Sequence, residues 1–247
     1  MYRSRAISRS RVFTPSLGLT LLIVALCAAF VSLGRWQWHR GDLRQAQWQA
    51  FARGADRAVP LGSQSLAALP RFQRITATGR FDPQHQFLLD NITHGEAAGY
   101  EVLTPFQLTN GREVLVDRGW VPFTGYRDRL PDIAFESGVT RPIIARVDEL
   151  PVAGLALGKA APQADASWPK LASYPDMPQL AAVLGRRLEP RILLLDPDAP
   201  DGYLREWQPP GLPPLRHWSY ALQWWAFAVA AVVIWFVLSW RKAPKVS

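Results

Sequence analysis

The sequence predicts a membrane protein in which two transmembrane helices flank one mainly-β extracytoplasmic domain, an antiparallel sheet or small barrel of α+β character. Three observations predict it. A charge-free apolar run of 23 residues lies near each end, at 12–34 and 218–240, close to the ~20 needed to cross a hydrocarbon core. Basic residues crowd the terminal side of both runs. Between the runs the apolar pattern breaks into short β-rich stretches separated by turn residues.

Residues 1–11 form a basic tail with Arg3, Arg5, Arg9 and Arg11, and 241–247 form another with Arg241, Lys242 and Lys245. These seven supply +7 of the formal +8, because all 20 acidic residues lie between Arg35 and Arg216 against the other 21 basic ones. A pI near 10 therefore describes the ends, and no phosphate-binding stripe for nucleic acid is concentrated in the middle. The positive-inside rule puts both termini in the cytoplasm and the middle outside it. The span 12–34 carries ten Leu, Ile, Val or Phe residues from Leu17 to Leu33, at roughly −0.3 to −0.6 kcal/mol each on insertion. No small-x-small cleavage signal follows, so it is expected to stay as an anchor rather than leave as a signal peptide. In the second span, 218–240, Trp218, Tyr220, Trp224 and Trp225 at one end and Trp235 and Trp240 at the other mark the two headgroup belts. A bacterial inner membrane is expected; the acid-free N-terminus makes the mitochondrial inner membrane the alternative.

The domain at 35–217 opens with helical pattern to about Arg53, marked by Trp36, Leu43, Trp48 and Phe51 and stopped by Gly54. Strands are predicted at 72–81, 86–91, 100–108, 113–122, 142–150 and 192–195. Asn110-Gly111 between two of them predicts a hairpin, since Asn-Gly readily takes the positive φ of a tight turn. A long loop is expected at 150–178 and a short helix at 179–188. Six prolines in 196–214 make a stiff, extended approach to the second span, in which Asp196 and Asp198 read as a solvated turn.

Several chemistries are excluded by composition. Cys27 is the only thiol, so no intrachain disulfide, Cys-type zinc site or covalent c-type haem attachment can form. Met177 is the only methionine besides Met1, which argues against soft-ligand copper delivery. The four histidines, His39, His85, His94 and His217, are not spaced as a metal pair, and no nucleophile elbow or phosphate-cradling glycine loop occurs. A non-enzymatic protein is expected.

Five blocks carry a family resemblance: Gly34-Arg35-Trp36-Gln37 with Arg40; Gly79-Arg80-Phe81; Gly99-Tyr100-Glu101-Val102-Leu103-Thr104-Pro105; Val114 through Pro122 with Arg118-Gly119-Trp120 at its centre; and His217 through Trp225. In this order, over most of the chain, they resemble the surfeit locus protein 1 family. Asp117 stands where an Asn is common, and Leu215-Arg216 precede His217 where some members carry an Asn. The resemblance implies an assembly factor for haem-copper cytochrome c oxidase, acting around insertion of haem a into subunit I, with subunit I, haem A synthase and membrane lipid as partners.

The residues themselves allow a reading toward haem. At 100° per residue, His217, Tyr220, Ala221, Trp224 and Ala228 share one face of the second span, an aromatic-walled groove with small residues at its floor. At a helix N-terminus the dipole favours a neutral imidazole, leaving His217 able to ligate haem iron. A headgroup anchor is the plainer role for such a His. Trp36, Gln37 and Arg40 lie at similar depth beyond the first span, where Gln37 and Arg40 would reach haem propionates, or lipid headgroups and oxidase. Arg118 would pair with a propionate or, by default, with a neighbouring Asp or Glu. Gly99 is expected to supply an unusual backbone angle, and Gly119 a bulge or close approach. Two alternatives stand beside transient haem a binding: a scaffold that holds subunit I without haem, and an unrelated two-span sensor or accessory protein.

Overall fold

The structure, a computed structural model, describes residues 11–54, 57–127, 129–135, 138–152, 160–163 and 165–242; the basic tails at 1–10 and 243–247 and the centre of the expected loop at 153–159 lie outside them. The chain forms two compact units, one of residues 1–48 with 210–247 and one of residues 49–209.

In the first unit, β1 (Arg11–Phe13), α1 (Leu17–Arg53) and α3 (Pro214–Leu238) precede β10 (Trp240–Lys242), with α1 passing beyond the unit at its C-terminal end. Both helices are long and apolar enough to cross a membrane. They run antiparallel. Gly34 receives the Trp225 ring and Gly41 the Trp218 ring, each so close that a Cβ would lie within 2.5 Å of indole atoms. Cys27 donates to the Ala228 carbonyl at 3.6 Å, and Trp235 Nε1 donates to Thr20 Oγ1 at 3.0 Å. Small residues let the backbones approach, which drives association where lipid removes the hydrophobic advantage of burial. Leu21, Leu22, Val229 and Val233 point outward and are more than half exposed, the surface that acyl chains would cover. The spans expected at 12–34 and 218–240 start and stop differently as helices: Val12 and Phe13 belong to β1, Trp240 to β10, and these two strands pair antiparallel. Phe13 packs its ring on Trp235 and Trp240, at 5.7 and 5.8 Å between centroids, closing that end of the pair.

The second unit is built on β2 (Val59–Pro60), β3 (Arg74–Phe81), β4 (Phe87–His94), β5 (Ala97–Leu108), β6 (Glu113–Pro122), β7 (Arg141–Asp148), β8 (Lys170–Ala172), α2 (Met177–Leu184) and β9 (Ile192–Leu195). The strands form one sheet in the order β2-β3-β7-β9-β6-β5-β4-β8, and a further pairing of β3 with β5 closes β3, β7, β9, β6 and β5 into a barrel. The sheet is mixed rather than antiparallel throughout, because β2–β3, β4–β8 and β6–β9 pair in parallel. Alternation turns one face of every barrel strand inward, where Ile75, Phe81, Phe106, Val114, Val116, Ile143, Ala145, Leu193 and Leu195 make the core. A second core, with Phe87, Leu89, Leu103, Leu115, Ile192 and Leu194, is capped by Leu180 of α2.

Local chemistry explains most boundaries. Asp176 and Gln179 form a reciprocal capping box at the start of α2, and Gly185, at φ 66°, ends it. The helix is therefore 177–184, not 179–188, since the left-handed glycine stops the coil before Arg186. In the expected 150–178 loop, β8 pairs with β4; three residues without alternation carry no local strand signal. Asp196 is not a solvated turn residue: its Oδ2 accepts from Arg74 at 2.6 and 3.0 Å, and its side chain is only 12% exposed.

Candidate functional site

The first unit brings two of the expected site residues into contact. His217, in the first turn of α3, and Gln37, on α1, meet with Nδ1 and Oε1 3.0 Å apart. An amide oxygen only accepts, so Nδ1 is the donor and, in the neutral ring, Nε2 keeps its lone pair. This carbonyl fixes tautomer and ring orientation as the outer partners of metal-binding histidines do. Pro213 and Pro214 start the helix without a side-chain cap, and the Arg216 amide bonds back to the Pro213 carbonyl at 3.1 Å, which sets the imidazole in the first turn. Arg40 and Arg44 are the charged groups that act on the ring. Arg44 is itself held by Gln47 Oε1 and the Pro210 carbonyl, at 2.9 and 3.0 Å.

An aromatic ladder continues from this pair into the helix contact. Trp38 lies between Trp218 and Trp225, with centroids 6.0 and 5.6 Å away, and Trp224 stacks on Phe30 at 5.8 Å. Trp218 Nε1 reaches Asp42 at 3.3 Å. Tyr220 and Trp36 are 47% and 57% exposed, and Arg40 is exposed, so these three rim the site rather than fill it. The groove floor expected at Ala221 and Ala228 is closed: both alanines are buried. Helical periodicity identified the face, but the same small residues that would floor a groove are the ones two membrane helices use to touch. The indoles of Trp218 and Trp225 opposite Gly41 and Gly34 were not singled out in the sequence reading. The shared seven-residue spacing of the two tryptophans and of the two glycines was the available signal.

Arg118 sits within the β domain and, among the described residues, forms no ion pair with a carboxylate. It is 2% exposed and donates to the Asp201 carbonyl and Gln86 Oε1, both at 2.8 Å, with Thr104 Oγ1 at 3.5 Å. Its Cζ lies 3.6 Å from the Phe135 ring centroid and 5.0 Å from that of Tyr203. The default carboxylate partner is thus replaced by carbonyl oxygens and aromatic faces; the nearby Asp201 carboxylate is engaged by Arg141. Gly119, at φ 109°, admits the passing chain, since a Cβ there would lie 2.7 Å from the Leu204 carbonyl oxygen. Gly99 is needed for space and not for an unusual angle: a Cβ would meet the Val121 carbonyl oxygen at 2.3 Å.

The sequence reading also missed a pair of hydrogen-bonded carboxyls, Glu101 on β5 and Asp117 on β6, beside the bulge between those strands. A hydrogen bond between two carboxyls requires one shared proton. Burial pushes Glu101 up to about 7, with the Asp117 hydrogen bond opposing and the Asp148 charge adding to the rise. Burial and then the Glu101 charge hold Asp117 well above the ordinary carboxylate range, while its Oδ1 accepts from the Gly119 amide at 2.9 Å. Two acids inside otherwise apolar strand runs were the visible signal.

The SURF1 family model matches residues 24–229, which take in the β domain and most of both helices. An uncharacterized SURF1-like protein of Mycobacterium bovis is 33% identical over 230 residues, covering 88% of this chain and 80% of its own length. Uncharacterized SURF1-like proteins from two strains of Mycobacterium tuberculosis match to the same extent. With the match running through the β domain and into both membrane helices, the chain belongs to the SURF1 family.

Proposed function

We propose that the protein is a non-enzymatic assembly factor for haem-copper cytochrome c oxidase that holds haem a transiently at the outer end of its helix pair. It would sit in a bacterial inner membrane with the β domain on the periplasmic side. Membership of the SURF1 family supports the assembly role. The observation that carries the haem reading is the His217–Gln37 contact, which presents Nε2 as one nitrogen donor of fixed orientation. That donor set fits a haem held on one side: His217 would meet the iron, Trp224 would lie along the macrocycle, and Tyr220, Trp36 and Arg40 would form the rim near its polar edge. Haem is cargo here, and it brings the redox-active iron destined for the oxidase. The chain's own part is to bind and orient it. One axial nitrogen suits handover, because ligation from both sides would slow release. Subunit I is the proposed recipient and haem A synthase the proposed donor.

The test is the visible spectrum of full-length protein purified from cells that make haem a. A haem band is expected in the wild type, absent in His217→Ala, and with affinity lowered about tenfold in Gln37→Leu, where the imidazole loses its orienting partner. A colourless wild type would sink the haem role and leave a scaffold for subunit I. A fully loaded His217→Ala would remove this residue as the ligand.

A further inference from the structure

A cavity of about 430 Å³ in the β domain gathers Arg74, Arg146 and Arg205 with Phe51, Leu194 and Trp207. Its charges do not balance. Arg74 takes the Asp196 carboxylate with two of its N–H groups. Arg205 makes its hydrogen bonds to carbonyl oxygens of Tyr203, Asp196 and Ala199, and Arg146 to the Phe51 carbonyl, so neither has a carboxylate hydrogen-bonded to it among the described residues. Glu206 also lines the cavity, but its side chain is 61% exposed and lies 3.5 Å from His94. Burial, and after it the charge of Arg74, pull the Arg146 guanidinium below its ordinary value against the opposing charges of Asp196 and Asp148, and burial lowers Arg205 against Asp196 and Asp198. Two guanidiniums, those of Arg146 and Arg205, therefore line the cavity without a hydrogen-bonded carboxylate among the described residues. Two rings complete the lining: the Phe51 centroid lies 3.8 Å from Arg146 Cζ, and Trp207 is fixed by its Nε1 donating to the Leu195 carbonyl at 2.7 Å.

We propose that this cavity binds a phosphate group, free or as a monoester, with its oxygens on Arg146, Arg205 and Arg74. A monoester carries about −1.5 to −2 charge at neutral pH, which matches the unpaired guanidiniums better than the single charge of a carboxylate. Guanidinium forks hold such oxygens by paired, charge-assisted hydrogen bonds. The volume exceeds that of the anion alone and falls in the range of small-molecule sites, about 300–1,000 Å³, so Phe51 and Trp207 leave room for an apolar or ester body. Two sources share this chemistry: free phosphate and the headgroup of a phosphatidic-acid-like lipid.

The test uses the full-length protein in a neutral detergent. Thermal midpoints are recorded with inorganic phosphate against chloride at equal ionic strength, and with phosphatidic acid against diacylglycerol in the micelles. A rise is expected in the wild type and in neither Arg146→Gln nor Arg205→Gln. A response to inorganic phosphate assigns a free anion; a response to phosphatidic acid alone assigns a lipid headgroup. No rise with either probe overturns the proposal, and so does an equal rise in the variants, since a general salting effect needs no site. Should a variant lose its cooperative transition, modification of the wild type by an arginine-directed dicarbonyl decides. Slower reaction at Arg74, Arg146 and Arg205 with the probe bound, and no change at Arg80 and Arg127, supports the site; uniform rates overturn it.

Discussion

Along the helix pair the buried positions are Gly34, Gly41, Pro214, Ala221, Ala228 and Ala231, whereas inside the barrel they include Ile75, Phe106, Val114, Ile143 and Leu193. The barrel excludes water, so large side chains stabilise it in proportion to the apolar area they remove. The helices face lipid, which solvates Leu as well as a protein interior does; contact there depends on close backbones and on indoles seated over glycine. Buried charge divides the same way. The β domain encloses Arg118 and Asp117, while the described apolar stretches of the two helices enclose no ionised side chain.

The largest effect that would break this contrast is a cavity in the barrel. Phe106, fully buried against Phe81 at 4.7 Å between centroids, should cost about 3–5 kcal/mol when replaced by Ala, read by denaturant unfolding. A loss below about 1 kcal/mol would mean that the barrel core is not packed as described.

The acid pair sharpens the comparison through pH. An unfolded Glu101 titrates near its ordinary 4.5 and the folded one near 7, so between these values the folded chain retains the extra proton. The stability it contributes is complete below about 4.5 and is lost as the pH rises through about 7. Thermal unfolding should therefore show a protein weaker at pH 8 than at pH 5, by an amount on the order of 2 kcal/mol from this group. Glu101→Gln should flatten that slope; an unchanged slope would show that another group sets it.

In the helix pair the expected change is smaller and steric. Gly34→Leu would drive a side chain into the Trp225 indole, costing about 1–3 kcal/mol of helix contact. With Ala228→Cys as a reporter, Cys27 should cross-link under mild oxidation, and adding Gly34→Leu should lower the yield several-fold. An unaffected yield would show that Trp225 moves aside freely.

Much of this was legible along the chain. The 23-residue charge-free runs and the Trp belts announced the helices, and Asn110-Gly111 announced the β5–β6 hairpin, where the Leu108 amide does bond the Arg112 carbonyl. His217 and Gln37 were both named as site residues, because aromatic and polar groups just outside a span share a depth. Their contact was not legible, since residues 180 positions apart leave no periodic trace of each other. Arg118 was visible as a charge in a strand, but its partners, a carbonyl and a Gln amide, carry no charge pattern to search for.

The presence of two spans, the membrane belts, the longer strand runs and the β5–β6 turn follow from local periodicity and from the transfer energies of neighbouring side chains, so the sequence alone determined them. The closure of β3 on β5, the parallel docking of β9 on β6, the proton held between Glu101 and Asp117 and the gathering of three arginines in one cavity were decided only in the tertiary structure. Each depends on burial and electrostatics among residues distant in the chain, and those energies exist only once the chain has folded.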